Sequence, residues 1–179
     1  AQKEQELRLQ KLATTDELTG AFNRRHFFEL GARELARTAR YGTSSCLAMF
    51  DVDLFKSIND DLGHGVGDSV LRELVQAIRE QVRTTDVIAR IGGEEFVLLM
   101  PETSIEAAAT TVERIRSAIA ERRFQDVPAP RRVTVSVGLV APLPNETLGD
   151  FLKRADSCLY NAKEMGRNRV SLEPRAPHG

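Results

Sequence analysis

Two pairs of acidic residues stand where buried strands end, and they are the feature of the sequence most able to do chemistry. Asp51 and Asp53 close an apolar run, and Glu94 and Glu95 directly follow the glycine pair at 92–93. A carboxylate in such a setting costs free energy unless a cation satisfies it. All-oxygen ligation suits Mg²⁺ or Mn²⁺, whose usual ligands are one or two carboxylates beside substrate phosphates. The pattern predicts a metal or phosphate site; the alternative is that the acids are solvated at the sheet ends.

The elements that must position these acids follow from hydrophobic periodicity. The run at 45–53 predicts a central strand buried on both faces, and alternation along it puts Asp51 and Asp53 on one side. The glycine pair predicts a β-hairpin with strands at 87–91 and 95–100, because glycine tolerates the positive φ angles of a tight turn. If the strand and the hairpin are neighbours in one sheet, the carboxylates meet.

Groups that could bind phosphates occur in two further places. No GxxxxGK loop is present. The turn at 54–56 instead opens a short helix, and its free backbone N–H groups and the Lys56 ammonium suit a triphosphate. Lys163 and Arg167 flank the end of the last predicted helix. Taken alone, those two would be ordinary basic residues favoured by the helix dipole.

Asn59 and Asp68 could recognise a base. Guanine presents its N1–H and N2 amino donors to a carboxylate, and an asparagine amide can donate and accept elsewhere on the ring. Adenine has no such donor pair on that edge, so Asp68 favours guanine. The alternative is that Asn59 is a plain helix residue and Asp68 a helix N-cap.

The order of the elements predicts the architecture. Residues 63–67 are expected to form a glycine-rich turn between two helices, and Thr103 with Glu106 a capping box that opens a later helix. The whole order predicts one α/β (α+β) domain, with a central mixed, mainly antiparallel sheet of about five strands covered by helices. A β-α-β-β-α-β core of this kind resembles the palm of polymerases and nucleotide cyclases.

Composition limits the partners and the location. The formal net charge of −1 argues against a nucleic-acid partner, and no apolar run approaches the roughly 20 residues that span a membrane. Cys46 and Cys158 form no CxxC pair, which predicts reduced thiols in a cytoplasmic protein. Residues 1–13 predict a linker helix, either the end of a coiled coil or a frayed terminus, and residues 173–179 a disordered tail.

The chain resembles a GGDEF domain, the diguanylate cyclase module, in the GGEEF variant that stands at residues 92–96. The resemblance runs in family order from about residue 14 to residue 170, which predicts a catalytic domain at 14–172. It covers DELTG at 16–20, NRR at 23–25, FDVD at 50–53, FK at 55–56, ND at 59–60, GH at 63–64, GD at 67–68, SVG at 136–138, and AD, LY, AK and GRN within 155–168. One departure is Ala21, where the family usually has a larger apolar residue.

The resemblance implies condensation of two GTP molecules into cyclic di-GMP with release of two pyrophosphates. The metal, Mg²⁺ or Mn²⁺, would be held by Asp51, the Val52 carbonyl and Glu94, with Glu95 a further candidate. Glu94 is the first choice and Glu95 the second for the group that helps to deprotonate the 3′-hydroxyl. Asp53 matches the motif but has no settled place among the metal ligands.

The resemblance also implies the residues that would bind substrate. The phosphate-binding set is Phe55, through its backbone, with Lys56, Lys163 and Arg167, and Lys56 also counts among the catalytic residues. The guanine pocket would be lined by Asn59, His64 and Asp68. Because the product is two-fold symmetric, each domain supplies one GTP and the active form would be a homodimer. An upstream sensory or receiver domain would drive dimerisation through the N-terminal helix.

A second site follows from position. Arg83 and Asp86 form an RxxD motif five residues before Gly92, where the family's inhibitory product site occurs, and Arg114 would add a second arginine. At this spacing the motif predicts feedback inhibition by cyclic di-GMP; on its own it would be a solvated helix end. Two other functions stay open: a degenerate module that only senses GTP or cyclic di-GMP, and another nucleotide cyclase on the same palm.

Overall fold

The computed structural model describes residues 1–173, and its helices and strands follow the predicted order. The helices are α1 (Gln2–Thr14), α2 (Arg24–Tyr41), α3 (Phe55–Leu62), α4 (His64–Arg79), α5 (Ile105–Glu121) and α6 (Leu148–Glu164). The strands are β1 (Ser45–Val52), β2 (Val87–Arg90), β3 (Glu95–Pro101), β4 (Val135–Val140) and β5 (Val170–Leu172). The predicted tail lies almost wholly outside the described residues.

The five strands form one sheet in the order β2-β3-β1-β4-β5, with β1 at its centre. β1 pairs antiparallel with both β3 and β4, β2 pairs antiparallel with β3, and β5 pairs parallel with β4. The predicted α+β fold with a five-stranded sheet is therefore confirmed. The sheet is mixed, because the pair at the β5 edge is parallel.

The sheet is covered on both faces, and strand alternation decides which residue enters which layer. Even-numbered residues of β1 and β3 pack with α4 and α5; they include Ala48, Phe50, Phe96 and Leu98. Odd-numbered residues pack with α2 and α6; they include Leu47, Met49, Val97 and Leu99. Every residue of β1 is buried, as its continuous apolar run predicts. Asp51 and Glu95 continue the odd-numbered series toward α6.

The glycine-rich stretch departs from the prediction. Only Gly63, at φ 94°, separates α3 from α4, and the residues from His64 onward are already helical. A side chain at Gly67 would place its Cβ 1.9 Å from Asn59 Oδ1, so the missing Cβ is what lets the two helices approach so closely. Asp68 consequently lies inside α4, and its alternative role as an N-cap is wrong.

The start of α5 also differs from the prediction. Ser104, not Thr103, is the N-cap residue, and its hydroxyl accepts a hydrogen bond from the Ala107 N–H at 3.2 Å. Thr103 is buried one position earlier. The preference for Thr with Glu three residues later could not separate the adjacent Thr and Ser.

Helix α1 is present where a linker helix was predicted, and none of its residues is buried. Leu9 and Leu12, its apolar seam, are exposed. Within residues 1–173, no helix combines the length and apolarity needed to cross a bilayer.

Candidate active site

The acidic cluster forms where the end of β1 meets the start of β3. Asp51 is the Cα partner of Glu95, and the Val52 N–H donates to the Glu94 carbonyl at 3.3 Å. The strand and the hairpin are thus sheet neighbours, and directly opposed residues of an antiparallel pair point to the same face. The Asp51 and Glu95 side chains therefore share the α6 side of the sheet.

The Asp51 side chain is only 8% exposed and lies against Lys163 of α6, with 2.8 Å between Lys163 Nζ and Asp51 Oδ2. Burial raises the pKa of Asp51 above its ordinary value of 3.8, the Lys163 ammonium opposes that shift, and repulsion from Glu94 and Glu95 adds to it. Lys163 thus stabilises the ionised form of Asp51, although burial disfavours that form. Such a carboxylate is suited to a strong external cation.

The turn of the hairpin is held by the Arg90 side chain, which bonds to backbone carbonyls of the turn. Arg90 donates from Nε to the Gly93 carbonyl at 3.0 Å and from a terminal nitrogen to the same oxygen at 2.8 Å. The opposite side of its guanidinium pairs with Asp16 at 3.3 Å. Within residues 1–173, the Glu94 and Glu95 carboxylates have no hydrogen-bond or ion-pair partner. The fold thus fixes the turn while leaving both side chains available. Arg90 and Asp16 were missed as site residues, although both lie in or beside the quoted motifs.

Of the residues predicted to bind phosphates, Lys163 contacts the cluster directly, and the others lie at the start of α3 and after α6. Leu54 adopts a left-handed conformation at φ 54° and immediately precedes the first turn of α3, whose leading N–H groups lack helical acceptors. Phe55 begins that helix, and Lys56 is exposed beside it. Arg167 is exposed in the turn that follows α6, one helical turn beyond Lys163.

The residues predicted to recognise guanine lie on the α3–α4 pair. Asn59 is half-buried on α3, and the absence of a side chain at Gly67 makes room for its amide. His64 and Asp68 are exposed in the first two turns of α4. The close approach of the two helices is shown where Gly67, the residue before Asp68, packs against Asn59.

Asp53 is not grouped with the other acids. Its carboxylate accepts hydrogen bonds from Ser136 Oγ at 2.6 Å, Thr134 Oγ1 at 2.7 Å and the Asn168 N–H at 3.0 Å. Those donors lie on or beside β4 and in the turn after α6. Sequence reasoning did not connect them with Asp53, although Ser136 and Asn168 lie in the quoted motifs, because more than 80 residues separate each from Asp53 along the chain.

The donor set fits a hard divalent cation only together with a substrate. No three His, Cys, Asp or Glu side chains within residues 1–173 are gathered closely enough to form a complete metal site. Asp51 is nevertheless a buried carboxylate with two further carboxylates raising its pKa. Mg²⁺ is usually bound by one or two carboxylates plus phosphate oxygens and water, so an incomplete protein shell is what such a site requires.

A separate cavity of about 500 Å³ contains the RxxD residues. Arg83, Asp86 and Arg114 all line it, together with Gln81 and Thr103, which sequence reasoning did not single out. Asp86 is 3% exposed at its side chain and pairs with Arg83 at 3.6 Å, while its Oδ1 has no hydrogen-bond partner. This buried oxygen, which lies 3.6 Å from Arg83 and accepts no hydrogen bond in a cavity that Arg114 also lines, is a feature that points to a polar ligand.

Together, the fold and the carboxylate cluster define a nucleotide-cyclase palm. Residues 13–169 match the model of the family described as diguanylate cyclase, GGDEF domain. The chain is 45% identical over 160 residues to Diguanylate cyclase DgcP of Pseudomonas aeruginosa, covering 89% of this chain and 24% of that protein. It is 38% identical over 169 residues to Diguanylate cyclase DgcM of Escherichia coli K12, covering 94% of this chain and 40% of that protein.

Solved structures agree. The coiled coil and GGDEF domain of DgcB from Caulobacter crescentus, in complex with c-di-GMP, superposes with a TM-score of 0.89 at 35% identity, covering 96% of this chain and 91% of that one. The active GGEEF domain of a diguanylate cyclase from Vibrio cholerae gives 0.81 at 30% identity, covering 86% and 98%. The chain belongs to the GGDEF diguanylate cyclase family. It spans less than half the length of these two curated relatives.

Proposed function

We propose that this domain condenses two GTP molecules into cyclic di-GMP with release of two pyrophosphates. The observation that carries the proposal is the convergence, at one end of the sheet, of the buried Asp51, Lys163 and the two hairpin carboxylates, which have no partner in the described part of the chain. A module that only binds a nucleotide has no need of a desolvated acid such as Asp51, whose pKa burial raises. This argues for the enzyme over the receptor alternative.

Two equivalent transfers make the product. In each, the 3′-hydroxyl oxygen of one GTP bonds to the α-phosphorus of the other, the bond to the β-phosphate oxygen breaks, and pyrophosphate leaves. The hydroxyl proton passes to a carboxylate, with Glu94 proposed first and Glu95 second, and then to solvent. Since both transfers join molecules held on different domains, the active form is a homodimer.

Asp51, the Val52 carbonyl and Glu94, with Glu95 as a further candidate, would hold Mg²⁺ or Mn²⁺. When bound, the ion supplies a Lewis acid that lowers the pKa of the attacking hydroxyl and offsets charge on the phosphates. Lys163 is the only described side chain bonded to the Asp51 carboxylate. Because its stem is unbranched and its side chain is 35% exposed, its ammonium could also reach phosphate oxygens of a bound substrate.

The remaining residues bind and orient GTP. The first N–H groups of α3, at Phe55, and the Lys56 ammonium bind the triphosphate at the helix N-terminus, and Arg167 approaches it from the turn after α6. Asp68 accepts from the guanine N1–H and N2 amino groups, while Asn59 and His64 complete the pocket. Lys56 also offsets charge that develops on the leaving pyrophosphate.

The cavity around Arg83, Asp86 and Arg114 is proposed as a product site. A guanine edge presents two donors to the Asp86 carboxylate, and the arginines match phosphate oxygens. Cyclic di-GMP bound there would hold domains apart from the face-to-face arrangement that the reaction needs. Domain limits at 14–172, an upstream sensory or receiver domain and a cytoplasmic location belong to the same proposal.

The test is a product assay on the full chain. Incubation with GTP and Mg²⁺, followed by chromatography, should yield cyclic di-GMP and pyrophosphate in a 1:2 ratio. Glu94→Gln should reduce turnover by at least about 100-fold, and a smaller loss in Glu95→Gln would support the proposed order of the two acids. If neither product forms, even after the N-terminal helices are crosslinked into a dimer, the receptor alternative replaces the enzyme.

A further inference from the structure

Asp53 is a buried carboxylate whose hydrogen bonds are all made within the protein. The residue is 7% exposed, and both of its oxygens accept hydrogen bonds, from Ser136 at Oδ1 and from Thr134 and the Asn168 N–H at Oδ2. Asp51, two residues earlier, accepts among residues 1–173 only from the ammonium at the flexible end of the Lys163 side chain. The two acids of the motif therefore have different surroundings, and they need not have the same role.

The Asn168 bond holds a turn that is unfavourable on its own. Residues 166, 167 and 168 all have positive φ, at 117°, 63° and 47°, and only the first of them is glycine. A non-glycine residue in this region costs about 1 kcal/mol or more, so the turn persists only where other contacts hold it. Two backbone bonds tie it to α6, from the Gly166 N–H to the Lys163 carbonyl at 3.2 Å and from the Arg167 N–H to the Ala162 carbonyl at 3.0 Å. The Asn168 side chain accepts from Arg116 of α5 at 2.7 Å, and the bond from the Asn168 N–H to Asp53 ties the turn to the sheet.

We propose that Asp53 is a positioning residue and not a metal ligand. Its carboxylate fastens the 166–168 turn to the ends of β1 and β4, and so places the Arg167 guanidinium where the substrate's phosphates lie. The inference rests on the proposed function, in which Arg167 binds those phosphates. It also explains why an acid follows Asp51 at this spacing, since an acceptor is needed beneath the turn on the α6 side.

Charge and acceptor can be separated by substitution at Asp53. The Asp53→Asn variant would keep an acceptor: its amide oxygen can serve Thr134 and the Asn168 N–H, while its amino group donates to the Ser136 hydroxyl, which can also accept. A positioning role therefore survives Asp53→Asn and is lost in Asp53→Ala. A metal ligand behaves differently, because the neutral amide lacks the charge that a hard cation prefers.

The first experiment reads the turn without turnover. Amide hydrogen exchange of the metal-free chain at residues 166–168 should accelerate about tenfold or more in Asp53→Ala and stay within about threefold of wild type in Asp53→Asn. Ser136→Ala is the matched control, because it removes one buried hydrogen bond to Asp53 and spares the bond from Asn168. Unchanged exchange in Asp53→Ala, or equal acceleration in the control, would overturn the tether.

The second experiment tests the metal alternative. Mn²⁺ binding should be measured calorimetrically in the presence of a GTP analogue with a methylene group between the α- and β-phosphates. Asp53→Asn should bind Mn²⁺ within about twofold of wild type, whereas Asp51→Asn should lose about tenfold or more. A comparable loss in Asp53→Asn would make Asp53 a ligand and end the proposal. This arm remains decisive if Asp53→Ala does not fold.

The third experiment tests that Asp53 acts through Arg167. Asp53→Ala should raise the KM for GTP about tenfold in the wild-type background but less than about twofold when Arg167 is already alanine. Equal effects in both backgrounds would contradict positioning of Arg167. If the wild-type chain makes no cyclic di-GMP, the proposed function fails, and the exchange measurement still decides whether Asp53 holds the turn.

Discussion

Replacing Asp51 by Asn should stabilise the metal-free domain while abolishing turnover. The Asp51 side chain is 8% exposed, and its pKa is raised because burial and the repulsion of Glu94 and Glu95 outweigh the attraction of Lys163. Its ionised form is therefore worse accommodated in the fold than in the unfolded chain. Asparagine keeps the shape without the charge, and Lys163, being 35% exposed, keeps its hydration when the ion pair is gone.

The magnitude follows from comparable replacements. Replacing a whole buried ion pair by neutral residues is often stabilising by about 1–4 kcal/mol, and because Lys163 is partly exposed and stays hydrated without its partner, replacing Asp51 alone should give about 1–2 kcal/mol. For a 179-residue chain, unfolding entropy of about 2.1 cal/mol/K per residue makes each kcal/mol worth roughly 2.7 °C, so the melting temperature should rise by about 3–5 °C. The measurement is calorimetry at pH 7 in the presence of a chelator.

The pH dependence has a definite sign. Because the folded-state pKa of Asp51 lies above the ordinary 3.8, wild type loses stability as pH rises from about 3.8 through that folded value, and Asp51→Asn does not. The advantage of the variant should grow across that window and vanish below it. A melting temperature at or below that of wild type at pH 7 would refute the reasoning.

Asp16→Asn is the control of opposite sign. Burial alone would raise the pKa of Asp16, but hydrogen bonds from Thr19 and the Arg90 ion pair outweigh it and lower the pKa below 3.8. Ionised Asp16 thus stabilises the fold at pH values above its ordinary pKa of 3.8, and that contribution is lost as the pH falls through its lower folded-state pKa. Asp16→Asn should cost about 1–2 kcal/mol at pH 7. If both variants shift the same way, the electrostatic explanation is wrong.

Two further substitutions test the substrate and product sites. Gly67→Ala would put a Cβ 1.9 Å from Asn59 Oδ1, so the KM for GTP should rise about tenfold with a smaller fall in kcat. Gly65→Ala is the control: the space around Gly65 is open, so neither KM nor kcat should change by more than about twofold. Arg83→Ala removes one of the cations lining the RxxD cavity and should raise the inhibition constant of cyclic di-GMP at least about tenfold, measured by initial rates with added product. Inhibition equal to that of wild type would exclude this cavity as the product site.

Much of the active-site cluster could be predicted from local sequence because strand alternation is a local rule. The run at 45–53 predicted a central strand, and the glycine pair at 92–93 predicted a hairpin; the structure places them side by side with Asp51 opposite Glu95. The period of two then determines which face each acid shares. The motif resemblance also brought Lys163 into the site, although 112 residues separate it from Asp51.

What could not be predicted depends on contacts between distant elements. The stretch at 63–67 has the composition of a turn, yet only Gly63 breaks the helix, because Gly67 is needed for its missing Cβ against α3 and not for a turn. Thr103 looked like a helix cap, whereas the fold buries it beside Arg83. In each case the role of the residue is decided by a contact with another element of the fold, Asn59 for Gly67 and Arg83 for Thr103. A local sequence pattern does not reveal such contacts.

The hairpin shows how the fold keeps reactive acids available. A tight turn that carries two adjacent glutamates would ordinarily be stabilised by pairing them with nearby cations, and Arg90 is close enough to suggest that use. Its guanidinium instead bonds the Gly92 and Gly93 carbonyls and is oriented from behind by Asp16. The cation thus stabilises the backbone of the turn and leaves the carboxylates without a partner in residues 1–173. Removing Arg90 should therefore loosen the turn without freeing either glutamate, because Arg90 pairs with neither of them.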